Sequence, residues 1–198
     1  MEKQGMSGRP REFEGEDVIE AAMDVFWSHG YEGSSTQALC ERTGLGRGSL
    51  YNAFGNKQAL YLQALRFYHE RGIQIQSGIL NGPGTPRERL RALLEWGIGE
   101  DLAGPHPRSC MALFAAMERG RKDPAVREIT HEYGARFEGM LCHVFALGQR
   151  SGDFSAGRPA LEQARAFMSS YYGLRVLGQS MADGELLHDV LEGTLARL

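Results

Sequence analysis

Along nearly the whole chain, apolar residues recur at spacings of three and four, and no sustained alternating run reads as a strand. Val18, Ile19, Ala22, Met23 and Phe26 line one side of a first helix that begins near Gly15. The spacing predicts its end at Ser28-His29-Gly30-Tyr31, with Gly30 in the left-handed position beyond the last turn. Ser34-x-x-Gln37 reads as a capping box opening a second helix through Thr43, with Leu39 facing inward. Beyond the turn Gly44-Leu45-Gly46, a short third helix from about Arg47 to Ala53 sets Leu50 and Phe54 one turn apart on its buried side. Asn56 caps a fourth helix, Lys57 to about Leu80, and Asn81-Gly-Pro-Gly-Thr-Pro86 is the clearest break in the chain.

A fifth helix follows from Pro86 to about Ala103, and Gly104-Pro-His-Pro107 separates it from a sixth carrying Cys110 to Arg119. The seventh starts at Asp123-Pro124, with proline in its first turn, and carries Val126, Ile129, Tyr133, Phe137, Met140 and Val144 as a long apolar stripe. The last two run from Pro159 to about Met181 and from Glu185 to Leu198. The fold class is therefore all-α: three short helices in a domain of residues 1–60, followed by a larger helical domain of residues 61–198.

Composition narrows the function classes. Apolar residues make up 42% of the 198 and charged residues 24%, as in ordinary globular proteins. No apolar run approaches the ~20 residues of a membrane-spanning helix. Met1–Pro10 is polar with no apolar core behind it, which predicts no secretory signal. Cys40, Cys110 and Cys142 are odd in number and far apart, which argues for a reducing, cytoplasmic setting rather than a disulfide framework. Neither they nor His106 and His143 fall at the paired spacing of a metal site, and no Gly-rich phosphate loop or nucleophile–base pair is present, so no cofactor, metal or enzymatic activity is expected.

The formal charge is −3, and residues 1–60 hold six Lys/Arg against nine Asp/Glu. A nucleic-acid binder is often basic, but only the face near phosphate feels the polyanion at physiological salt. The acids cluster between Glu12 and Asp24, whereas residues 33–60 carry Arg42, Arg47 and Lys57 against Glu41 alone. Arg9 and Arg11 lie on an N-terminal arm.

Helices two and three, joined by a tight glycine turn, have the form of a helix-turn-helix. Periodicity alone suits a packing module as well as a DNA reader. The third helix decides between them: opposite Leu50 and Phe54 it presents Arg47, Gly48, Ser49, Tyr51 and Asn52, groups suited to phosphate oxygens and base edges.

The stretch Gly30-Tyr31-x-x-Ser34-Ser35-Thr36, then Leu39-Cys40-x-x-Thr43-Gly44-Leu45-Gly46-Arg47-Gly48-Ser49-Leu50-Tyr51-Asn52-Ala53-Phe54, then Asn56-Lys57-x-x-Leu60, resembles the DNA-binding signature of the TetR family over about fifty residues. Gly8-Arg9-Pro10-Arg11-Glu12-Phe13 is similar to the start of many such regulators. The resemblance implies a repressor with an N-terminal reader and a helical regulatory domain, dimerising through its last two helices and releasing operator DNA when a small ligand binds. It places Arg47, Gly48, Ser49 and Tyr51 at recognition-helix contacts, Lys57 at a phosphate contact, and Ser35 and Thr36 where the second helix's N-terminus meets the DNA backbone. Gly46 departs from the family's usual capping Ser, at a cost of ~0.5 kcal/mol. Asn52-Ala53 stands where an aromatic or His is frequent, so base preference does not transfer there.

In the second domain, helix eight combines Ala164, Ser169, Ser170 and Gly173 with Phe167, Met168, Tyr171 and Leu174. Helix nine sets Leu187, Leu191, Leu195 and Leu198 on one side, flanked by Leu186 and Val190. Such helices suit a four-helix dimer interface, or the capping of a monomer core. Trp96, Phe114, Met117, Phe137, Met140 and Tyr171 are the bulky candidates for an effector pocket, and equally for ordinary core. No charged pair or polar cluster indicates the effector's chemistry. Ser109-Cys110-Met111 lies where some relatives carry a sensing cysteine, and nearby Arg108 could favour thiolate. Cys110 is thus the candidate of an alternative reading as a redox or electrophile sensor. An architectural DNA-binding protein without an effector is a third reading, against which the large second domain stands.

Overall fold

The computed structural model describes residues 11–103 and 110–198, with side chains from residue 15 onward. Among the described residues there are nine helices and no strand. The chain divides into two compact units between Phe67 and Tyr68.

The first unit holds α1 (Arg11–Gly33), α2 (Thr36–Thr43), α3 (Arg47–Phe54) and the start of α4 (Lys57–Leu80). Its core is made by Ala22, Met23, Val25 and Phe26 of α1, Leu39 of α2, Leu50 of α3, and Leu60, Tyr61, Ala64 and Leu65 of α4. α1 begins four residues before the expected Gly15, because Arg11–Glu14 are helix formers with nothing to stop them. It breaks at Gly30 (φ 70°, ψ −179°), a positive-φ conformation that favours glycine, and a further turn follows to Gly33.

The capping of α2 differs from expectation. Ser34 is buried and its hydroxyl donates to the carbonyls of Gly30 (2.5 Å) and Val25 (3.3 Å), so it cannot serve α2. Ser35 is the cap, its Oγ accepting from the Ala38 amide at 3.0 Å. Gln37 bonds Glu41 one turn on, rather than reaching back to close a capping box. Gly44 ends α2 in the left-handed region (φ 70°, ψ 7°). Asn56 caps α4 as expected, Oδ1 accepting from the Ala59 amide at 2.8 Å.

The second unit continues α4 and adds α5 (Pro86–Leu102), α6 (Met111–Arg119), α7 (Pro124–Ser151), α8 (Ala160–Met181) and α9 (Gly184–Leu195). Starts are set by short polar caps. Thr85 and Glu88 form a reciprocal capping box before Pro86. Asp123 accepts from the amides of Ala125 and Val126, and Asp183 from those of Glu185 and Leu186. The core joins Leu90, Leu93, Leu94 and Ile98 of α5 to Phe137, Leu141, Val144 and Phe145 of α7. Ala164, Phe167 and Leu174 of α8 and Leu187, Leu191 and Leu195 of α9 complete it. Helix nine's leucine stripe therefore faces its own chain's core. Leu198, expected on that helix, lies beyond its end and is half-buried.

Candidate functional site

In the first unit, α2 and α3 are tied together by side chains rather than by apolar packing alone. Thr36 Oγ1 and the Tyr51 hydroxyl share a hydrogen bond of 2.8 Å between the start of α2 and the middle of α3. Arg42 Nη2 donates to Asp24 Oδ2 at 2.5 Å, pinning α2 to α1. This leaves Arg42, an exposed cation on the sequence map, partly neutralised on the reader's flank.

α3 buries Leu50 completely, while Phe54 is only half-buried. Arg47, Gly48, Ser49 and Asn52 are exposed, as is Ser35, and Tyr51, Thr36 and Lys57 are half-buried. The Lys57 ammonium lies 4.5 Å from the centre of the Tyr31 ring, which packs edge-on to Tyr61 at 5.0 Å. Such a cation–π contact restrains a long flexible side chain while leaving its charge available to an anion. Arg9 and the side chain of Arg11 fall outside the described residues.

Gly48 is the most informative position. A Cβ built there meets nothing within 4 Å, and its φ is not positive. Glycine inside a helix costs ~1 kcal/mol relative to alanine, and the chain's own packing gives no reason to accept that cost. Gly46, the N-cap of α3, is likewise open and offers no side-chain cap. The exposed face of α3 thus begins with bare backbone next to Arg47 and Ser49, where another molecule's backbone can approach closely.

The interior of the second unit is not purely apolar. Arg175 of α8 donates from Nε to both carboxylate oxygens of Asp101 on α5 at 2.8 Å, and from Nη1 to the Tyr171 hydroxyl at 3.2 Å. The two charged side chains are 3% and 0% exposed. Tyr133 of α7 donates to Gln76 Oε1 of α4 at 3.1 Å, and Tyr171, Tyr68 and Cys110 are close neighbours of this group. Burial lifts Asp101 to about 6, with Arg175 only partly offsetting it. Burial also pushes Tyr171 up to about 12 and raises Tyr68, Tyr133 and Tyr172, so these phenols are protonated donors at neutral pH. Burial works against the charge of Arg175, but its environment, with the hydrogen-bonded Asp101 carboxylate, outweighs it and holds the guanidinium protonated.

The sequence alone offered no charged pair or polar cluster to indicate the effector's chemistry, and this cluster is one that only the fold brings together. It is flanked by glycines: a Cβ on Gly178 would stand 2.7 Å from Asp101 Oδ2, and one on Gly97 would stand 3.2 Å from Arg175 Cδ and from Tyr171 Cε2. Of the bulky candidates, Tyr171 and Phe137 are buried with ring centres 5.2 Å apart, and half-buried Trp96 lies 5.8 Å from the Arg175 guanidinium. Met140 is half-buried against the core, and Cys110 is buried at the N-cap of α6. Phe114 and Met117 do not belong to this interior. They are 40% and 78% exposed, because α6 buries its small face, Met111, Ala112 and Ala115, and turns its bulk outward. His106, Arg108 and Ser109 fall outside the described residues.

Comparison with known proteins follows the same division. The family described as bacterial regulatory proteins, tetR family, matches residues 18–64, and the BetI-type transcriptional repressor C-terminal family matches residues 86–198. The HTH-type transcriptional regulator YezE of Bacillus subtilis is 27% identical over 192 residues, covering 96% of this chain and 99% of YezE. The TetR family regulator CifR, solved as a cysteine mutant with 26-bp operator DNA, is 30% identical with a TM-score of 0.83, covering 95% of this chain and 98% of that one. The reduced form of Escherichia coli NemR shares the fold at a TM-score of 0.83 and 16% identity, covering 92% of this chain and 95% of NemR.

Proposed function

The chain belongs to the TetR family of DNA-binding transcriptional regulators, and on that premise we propose that it is a repressor whose dimer binds an inverted-repeat operator and lets go when a small molecule enters the second unit. The observation that carries the DNA-reading part is the exposed edge of α3. Arg47, Ser49 and Asn52 surround a glycine that its own fold does not need. Arg47 reads base edges; Tyr51 with Thr36, Ser35 and Lys57 hold phosphate; Gly48 admits the DNA backbone; Arg9 before α1 and Arg11 at its start add further contacts.

Dimerisation rests on α8. Leu161 and Val176 are 38% and 46% exposed, and half-buried Met168 and Tyr172 lie between them on the same side of the helix. On α9 the half-buried Leu186 and Val190 are what remains for a partner, since the leucine stripe is used inward. Two recognition helices held by such an interface must sit one DNA turn apart, ~34 Å, to fill successive major grooves. α4 contributes to both units. A ligand that binds the DNA-free form more tightly by ~1–3 kcal/mol weakens operator binding by the same amount.

One panel tests this reading: sedimentation, footprinting and a salt series on an operator selected from random DNA. A dimer protecting a symmetric site is expected. Lys57→Ala lowers the salt slope by about one counterion and weakens all sequences alike, whereas Arg47→Ala costs ~1–3 kcal/mol and relaxes base preference. Gly48→Ala raises the reader's stability by ~0.5–1 kcal/mol yet weakens DNA binding. A monomer on an asymmetric half-site, or a Gly48→Ala variant that binds as wild type does, contradicts the proposal.

A second reading is favoured by one placement, the burial of Cys110 at the N-cap of α6 among Ile73, Ala112 and Tyr133. Chemical modification of that thiol enlarges a packed side chain in the unit's interior, so a reactive electrophile or oxidant would release DNA in place of a reversible ligand. The test is a gel shift with oxidant: release in the wild type and none in Cys110→Ser supports it, and equal release in both rejects it.

A further inference from the structure

Core stability does not account for the buried ion pair. Replacing such a pair with apolar residues of similar volume is often neutral or stabilising. Here the pair is joined by four phenols, a glutamine and a thiol drawn from five helices of one unit: Tyr68 and Gln76 of α4, Asp101 of α5, Cys110 of α6, Tyr133 of α7, and Tyr171, Tyr172 and Arg175 of α8. Arg175 alone brings five N–H groups and each protonated phenol one O–H, facing the Asp101 carboxylate, the Gln76 amide oxygen and the phenol oxygens themselves. The Nε of Arg175 goes to Asp101 and its Nη1 to Tyr171, and among the described residues nothing accepts from Nη2. A guanidinium 3% exposed with an unused edge is an anchor lacking its acceptor.

We propose that the Nη2 edge of Arg175 anchors the effector, an uncharged organic molecule with a carbonyl-type acceptor and an apolar or aromatic body, and that Asp101 is the filter that turns carboxylates away. The inference rests on the ligand-released repressor reading above and names its ligand class. Because Asp101 already neutralises Arg175, a neutral acceptor fills the free edge without adding charge. A carboxylate in its place would lie a few ångströms from Asp101 in a medium far less polarisable than water, and that repulsion is worth about two orders of magnitude in affinity. The neighbouring side chains suit an apolar body: Trp96 lies beside Arg175, and Phe137 packs against Tyr171 and Tyr172 at 5.2 and 6.1 Å.

Benzylacetone and hydrocinnamate test the filter. They share a phenylethyl body and differ in bearing a methyl ketone or a carboxylate. Thermal shift and calorimetry at millimolar probe are expected to show wild type binding the ketone and ignoring the acid. Asp101→Asn, which leaves Arg175 uncompensated, raises affinity for hydrocinnamate relative to benzylacetone by at least about tenfold. The double variant Asp101→Asn/Arg175→Met, whose core carries no charge, loses the preference for the ketone, and it keeps the test decisive should the single variant fold poorly. Wild type that takes the acid as readily as the ketone, or takes neither, overturns the proposal. So does an Asp101→Asn variant with an unchanged ratio, or a double variant that still prefers the ketone. Operator gel shifts on the same preparations separate the two levels. Loss of DNA binding by unliganded wild type sinks the repressor reading, whereas intact DNA binding without probe discrimination sinks only the ligand class.

Discussion

Arg175→Met is expected to lower the free energy of unfolding by about 3–5 kcal/mol, the penalty for leaving a buried charge without its partner. Asp101 has no exposed surface, both its oxygens accept from Arg175, and methionine fills the space of the stem without offering a donor. Asp101 then keeps its carboxyl in an apolar setting and retains a proton to a higher pH than the roughly neutral-edge value it has beside the guanidinium. Asp101→Leu placed on top of Arg175→Met removes the stranded group, and most of the lost stability should return. Urea titration of the wild type, the single and the double variant, compared at constant m-value, checks both halves. A single variant within ~1 kcal/mol of wild type contradicts the burial argument.

Leu50→Ala is the largest change expected in the reader, costing about 2–5 kcal/mol. Leu50 is fully buried and is the only residue of α3 to be so. An eight-residue helix has no stability by itself in water. Its placement depends on Leu50, on the Thr36–Tyr51 bond, and on Gly55, whose amide donates to the Tyr51 carbonyl. The cavity therefore loosens the recognition surface without touching any group on it. Operator affinity should collapse while the second unit keeps its structure, so amide exchange is expected to accelerate through residues 36–54 and to stay slow in α7 and α8. Uniform acceleration across the chain would mean that the two units do not unfold separately.

The reader was legible in the sequence because its determinants are local. Gly44, Gly46 and Asn56 act within a turn of their own positions, and the exposed groups of α3 are simply those opposite Leu50. The error at Ser34 arose from adjacency. Two neighbouring serines can each cap a helix, and only the tertiary approach of the Val25 carbonyl to Ser34 shows which oxygen is already engaged. The interior was harder for the opposite reason. Asp101 and Arg175 are 74 residues apart, and either one alone looks like a solvated charge. A usable signal did exist in the register: Arg175 follows Tyr171 by four positions on the buried side of α8, and Asp101 follows Gly97 and Ile98 on that of α5. Bulk was a poor guide by comparison, since Phe114 and Met117 are large and face outward.

The glycines beside the ion pair carry a consequence for how this protein can change over generations. Gly178 leaves room for the Asp101 carboxylate, and Gly97 leaves room for the arginine stem and the Tyr171 ring, each at distances that admit no methyl group without displacement. An alanine arising first at either site would push against a charged group, and loss of either charge first would strand the other. The four positions 97, 101, 175 and 178 therefore form a lock to inheritance: each blocks the neutral drift of the rest. A descendant lineage that adopts a different effector should either keep all four or have replaced them together, and residues half a chain apart should bear one shared history.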